Sequence, residues 1–116
     1  MYKIHPVEER EIAEAICPEL KEEEGLFVVN EDGKFTGKGI YVIENDVITI
    51  NHIDAPYSDA RTLMFLGILS YAERRGIKEA CCKDLALSDL CQKMGFDEDM
   101  KVKLEGFFEP GKHCSH

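Results

Sequence analysis

Val47-Ile48-Thr49-Ile50-Asn51-His52-Ile53-Asp54 runs through Ala55-Pro56-Tyr57 into Ser58-Asp59-Ala60-Arg61-Thr62-Leu63-Met64-Phe65-Leu66-Gly67-Ile68-Leu69-Ser70-Tyr71-Ala72-Glu73-Arg74-Arg75-Gly76. Val47 to Ile53 reads as a strand. Side chains alternate along a strand, so Ile48 and Ile50 share one face and Ile53 has the opposite parity. Two arrangements satisfy that pattern. An extra residue is absorbed near Asn51-His52 as a β-bulge, which splays the strand from its neighbour, or Ile53 packs on the other face. Ser58-Asp59 are good helix-starting residues, and the helix runs to Arg75. Arg74 and Arg75 complement its negative end, and Gly76 is the expected stop. Its interior is apolar nearly all round, which predicts cover on most sides.

Upstream, Tyr2 to His5 reads as a short strand. Val7 to Cys17 reads as a helix opened by Pro6 and ended by Pro18. Leu20 to Glu24 is a charged connector. Leu26 to Val29 is strand-like, and Glu31-Asp32-Gly33-Lys34 is a hairpin turn because Asp-Gly tolerates positive φ. Lys38 to Ile43 makes the next strand, and Glu44-Asn45-Asp46 turns the chain into Val47. Downstream, Ile77 to Cys82 reads as a buried strand, Asp84 to Met94 as a helix stopped by Gly95, and Lys101 to Phe108 as a last strand. The fold class is therefore α/β, with a mixed sheet made of an antiparallel meander followed by β-α-β-α-β. Residues 1–108 form one domain and 109–116 a flexible C-terminal tail.

The chain has 116 residues, 44% apolar and 32% charged, which suits one folded domain and excludes a disordered chain. Its longest apolar stretch, Thr62 to Ala72, is too short for a membrane-spanning helix, which needs roughly 20 residues. No apolar signal region follows Met1, so a cytoplasmic protein is expected. Fourteen Lys+Arg against 23 Asp+Glu give a net charge of −9. Such a surface repels phosphate backbones and makes nucleic acid an improbable partner; it favours approach of a cation such as an amine, or simply keeps a small protein in solution. The five cysteines, Cys17, Cys81, Cys82, Cys91 and Cys114, are odd in number and read as reduced thiols. No CxxC pair supports structural zinc, and His113-Cys114-Ser115-His116 reads as a tail able to bind metal adventitiously, so no metal site is assigned.

The order of elements and several residues resemble the GNAT superfamily of acyl-CoA N-acyltransferases. The similarity spans Val47 to Phe96: the strand Ile48 to Asp54, Pro56-Tyr57, the long helix ending Tyr71-Ala72-Glu73-Arg74-Arg75-Gly76-Ile77, and Leu90-Cys91-Gln92-Lys93-Met94-Gly95-Phe96. The resemblance implies acetyl-CoA as cosubstrate. Its pantetheine arm would lie against strand backbone at Ile53 and Asp54, and its pyrophosphate against the start of the following helix at Ser58, Arg61 and Thr62. That loop departs from the family pattern. It holds no glycine, it is shorter than usual, and Asp59 sets a carboxylate where phosphates should sit. Arg61 and the hydroxyls of Ser58 and Thr62 would have to replace the glycine amides. Gly33 to Gly39 is a second glycine cluster, but it lacks P-loop spacing and lies in a hairpin.

Acylation of an amine needs a neutral amine, a polarised thioester carbonyl and a proton for the departing thiolate. His52, beside the expected bulge, is the candidate base, with Asp54 to orient it or bind a cationic acceptor; a structural histidine is the alternative. The family's proton-donating tyrosine falls at Cys91. A thiol titrating near about 8.5 is closer to neutrality than a phenol near about 10, but a buried core cysteine fits the same position. Three functions stay open: a small acyl-CoA-dependent N-acetyltransferase for a small-molecule or peptide amine, a non-catalytic module of the same fold with a decayed cofactor site, and a thiol- or metal-responsive protein using Cys81-Cys82 and the tail. The resemblance implies longer helical material over the acceptor than the segment between Cys17 and Leu26 supplies, which would leave the acceptor side open or completed by a homodimer partner.

Overall fold

The computed structural model describes residues 2–108; the segment 109–116, expected to be a tail, and its residues His113, Cys114 and His116 lie outside the described residues. Strands β1 (Tyr2–Pro6), β2 (Glu24–Glu31), β3 (Lys34–Glu44), β4 (Val47–Asp54), β5 (Glu79–Cys82) and β6 (Lys101–Lys103) form one six-stranded sheet in chain order. Neighbours are antiparallel except β4 and β5, which run parallel. Helix α1 (Arg10–Ile16) follows β1, α2 (Ser58–Arg74) makes the crossover from β4 to β5, and α3 (Ser88–Lys93) links β5 to β6.

Both hairpins of the meander close through two residues at positive φ, Asp32-Gly33 and Asn45-Asp46, as the turn residues require. In β2 the apolar run is buried on both faces. Phe27 and Val29 join the cluster that α2 covers, while Leu26 and Val28 join Ala13, Cys17 and Leu20 on the α1 side. Each fully buried residue of this kind contributes about 1.5–3 kcal/mol. On the α2 side the helix lies close to β3 at Gly39, where an added Cβ would sit 3.0 Å from Ile68 Cδ1 and 3.1 Å from Met64 Sδ.

Both longer crossovers end in the same backbone motif. At α2, Gly76 (φ +79°) donates to the Glu73 carbonyl and Ile77 to the Ala72 carbonyl; at α3, Gly95 (φ +86°) donates to Gln92 and Phe96 to Cys91. These paired bonds satisfy carbonyls that a helix end leaves orphaned.

Several expected boundaries move. The first helix begins at Arg10, not Val7, because Val7 still bonds in strand fashion to the Leu26 carbonyl. β5 begins at Glu79, since Ile77 is taken by the end of α2. The helix expected over Asp84 to Met94 is a 3-10 turn, Leu85–Leu87, followed by α3, with the Asp84 side chain capping the turn at Ala86. The last strand ends at Lys103 instead of Phe108, and the chain turns through Leu104 and Phe107 into the core. α2 is covered along one side, through Ala60, Met64, Phe65, Ile68, Leu69 and Ala72, while Leu63 stays exposed. No helix of the described residues is long and apolar enough to cross a membrane.

Candidate active site

The register of β4 against β3 passes from Tyr41↔Ile50 to Ile40↔His52, leaving Asn51 as the extra residue of a bulge. The bulge resolves the parity of the strand: Ile48, Ile50 and Ile53 all enter the core. Asn51 donates through Nδ2 to Glu24 on β2 at 3.0 Å.

At the bulge the pairing of β4 with β5 ends. Parallel pairing runs from Val47↔Glu79 to Ile50↔Cys82, and Lys83 N–H still reaches the Ile50 carbonyl at 2.8 Å. At the next residue the neighbouring chain leaves the sheet. There the Asp84 carboxylate meets β4: Oδ2 lies 3.3 Å from Ile53 N and 3.1 Å from His52 Nδ1, and Oδ1 accepts from Ala86 N at 3.0 Å. The acid beside His52 is therefore Asp84, not Asp54. Asp54 is exposed at the end of β4 in register with Lys38, and it borders a small pocket with Ile16 and Phe35.

A cleft of about 510 Å³ lies between the start of α2 and the chain from Ala86 to Lys93. Ser58, Arg61 and Thr62 line it together with Leu87, Leu90 and Lys93, so three of the expected cofactor contacts share one cavity. Lys93 had no signal in the sequence beyond its place near the end of a helix. Asp59 and Asp89 also border the cleft, so two acids face the two bases Arg61 and Lys93. Asp59 is partly engaged: its Oδ1 accepts from Ala60 N at 3.0 Å, and the Tyr2 phenol is pushed up by desolvation and then by hydrogen bonding to the same carboxylate. Thr62 donates to the Ser58 carbonyl one turn back.

Cys91 is 1% exposed and packs in the core beside Cys82. Its thiol is pushed up to about 12, first by burial and then by the Cys82 thiol. The expected advantage of a thiol over a phenol as proton donor is thereby reversed. No group of three or more His, Cys, Asp or Glu side chains converges on a metal-sized site among the described residues.

Arg61, Lys93 and Ser58 are the residues that could hold a phosphate-bearing group, with Asp59 and Asp89 beside them. With the first turn of α2 they border a cleft large enough for such a group. At the thioester end the Ile53 amide would have to be shared with Asp84.

No protein-family model matches the chain, and no curated protein matches it by sequence. Solved structures do. The ribosomal-protein-S18-alanine N-acetyltransferase of Escherichia coli superposes with a TM-score of 0.66 at 16% identity, over 84% of this chain and 78% of that one. A Bacillus subtilis acetyltransferase in complex with CoA gives 0.64 at 14% identity, over 84% and 77%. A GNAT family acetyltransferase from Elizabethkingia anophelis with acetyl-CoA bound gives 0.60 at 14% identity, over 83% and 76%. This chain therefore has the fold of the GNAT acetyltransferases.

Proposed function

We propose that the protein is a small acyl-CoA-dependent N-acetyltransferase acting on an amine. The observation that carries this reading is the cleft at the start of α2, lined by Ser58, Arg61, Thr62 and Lys93, on the same domain as the bulge at Asn51. When bound, acetyl-CoA would supply an acyl thioester. Ser58, Arg61 and Lys93 would hold its phosphates, with Thr62 at the rim, and the backbone of Ile53 and Asp54 would align its pantetheine arm. His52, with its side chain 56% exposed, would take a proton from the acceptor amine through the ring nitrogen that does not face Asp84. Asp54 offers a negative charge to a cationic acceptor at the same end of β4. Cys91, buried in the core, keeps its proton at neutral pH, so the departing CoA thiolate would take its proton from solvent.

A second reading has its own observation. Asp84 already occupies the Ile53 amide, which suits a non-catalytic binding module with a decayed cofactor site. Thermal denaturation with acetyl-CoA separates the two. At 100 times the dissociation constant a ligand adds about 2.7 kcal/mol, worth on the order of 10 °C in midpoint for a domain of this size. A shift of that kind, followed by amine-dependent CoA release seen by chromatography, supports the enzyme. An unmoved midpoint at millimolar acetyl-CoA removes it and leaves the module.

A further inference from the structure

We infer that Asp84 is a positioning residue for His52: it fixes the imidazole in the tautomer that carries hydrogen on Nδ1 and leaves Nε2 bare to accept a proton. The inference deepens the acyltransferase reading and rests on it for its catalytic meaning.

A carboxylate only accepts hydrogen bonds, so at 3.1 Å from Asp84 Oδ2 the His52 Nδ1 must be the donor. In a neutral imidazole that choice leaves Nε2 as the acceptor. Asp84 is well placed to impose it. Its side chain is 13% exposed, against 56% for His52, so the acid is held and the ring tip is open. Three donors converge on its two oxygens: Ala86 N at 3.0 Å on Oδ1, with Ile53 N at 3.3 Å and His52 Nδ1 at 3.1 Å on Oδ2. Two of those donors are backbone groups on separate elements, β4 and the 3-10 turn, so the carboxylate cannot swing freely with the ring. The bulge supplies the rest of the geometry. It shifts His52 by one register step relative to Ile50, opposite Ile40, and so brings its ring to the point where β5 departs.

The test reads the tautomer without cofactor or turnover. Long-range proton–nitrogen correlation spectra of the whole chain, with His52 assigned from a His52→Gln variant, should show a pyrrole-like Nδ1 and a pyridine-like Nε2 once the ring is neutral. In Asp84→Ala the preference for Nδ1–H should disappear, and circular dichroism would establish that the variant is folded. Because Asp84→Ala also frees two backbone amides, the native spectrum stands as a test by itself. A bare Nδ1 in the native protein, or a tautomer unmoved by the substitution, overturns the inference. A native chain that never releases CoA sinks the acyltransferase reading, while the tautomer still decides this one. Where turnover is found, Asp84→Asn should lower kcat about 10²-fold, within the range of general-base contributions; an unchanged kcat would count against Asp84.

Discussion

A thiol releases its proton where water or a cation stabilises the thiolate, and is inert where neither reaches it. Cys91 lies in the core against Cys82, and its thiol is pushed up to about 12. Cys82 is raised by burial as well, and Cys17 is raised by burial and by its hydrogen bond to Glu19 despite the nearby Lys38. Cys81 differs. It alternates out of the core on β5, in register with Thr49 on one side and Lys101 on the other, and is half-buried. Among the four cysteines of the described residues, Cys81 should therefore be alkylated fastest by iodoacetamide at mildly alkaline pH. Cys17, Cys82 and Cys91 should react about 100-fold more slowly, at a rate that climbs with denaturant because access requires opening. Tandem mass spectrometry of timed digests places each label. Labelling of Cys91 as fast as Cys81 in the native protein would show that its thiol is reachable and would restore it as a proton donor.

Gly76 and Gly95 test the elements in which they sit. Each lies at positive φ with nothing within 4 Å of an added Cβ, so Ala there costs only backbone conformation, about 1–2 kcal/mol. Gly25 is the contrast: its Cβ would fall within the Tyr41 ring, so Ala there demands movement of a packed aromatic that also meets Phe27 and Tyr71. Chemical denaturation should rank Gly25→Ala as the most damaging of the three, with Gly95→Asn milder than Gly95→Ala because Asn tolerates that region. Equal losses at all three would mean that steric conflict at Gly25 is relieved at no cost. The same physics explains what could be read from the chain. The endings Arg74-Arg75-Gly76-Ile77 and Lys93-Met94-Gly95-Phe96 announce helix stops because carbonyls at a helix end need that glycine, while the parity of Ile48, Ile50 and Ile53 left a bulge as one of two arrangements, between which the strand register decides. Local bonding rules reach that far. Asp84 was not legible as His52's partner, because 32 residues separate them and only the parallel pairing of β4 with β5 brings them together. Lys93 entered the cleft for a similar reason: α3 is short, and its facing depends on the 3-10 turn that displaced the start of the expected helix.

The whole molecule carries 14 Lys+Arg and 23 Asp+Glu, a net charge of −9, and that field acts with opposite sign on the two reactants of an amine acetylation. Acetyl-CoA is an anion. Within the α2 cleft, Arg61 and Lys93 are balanced by Asp59 and Asp89, so the local charge nearly cancels and the field of the whole chain is left to act. That field repels the cofactor from the acidic surface until salt screens it, with a Debye length of about 10 Å at 0.1 M. A polycationic amine experiences the reverse. Raising salt from low ionic strength to about 0.3 M should therefore tighten acetyl-CoA, by titration calorimetry, while kcat/KM for a polycationic amine falls more steeply than for a monoamine. Sulfate and chloride at matched ionic strength separate screening from ion binding in the cleft, since a sulfate that occupied the phosphate position would compete with the cofactor and chloride would not. If acetyl-CoA instead weakens sharply as salt rises, the cleft is locally basic, and Arg61 with Lys93 outweigh Asp59, Asp89 and the −9 around them.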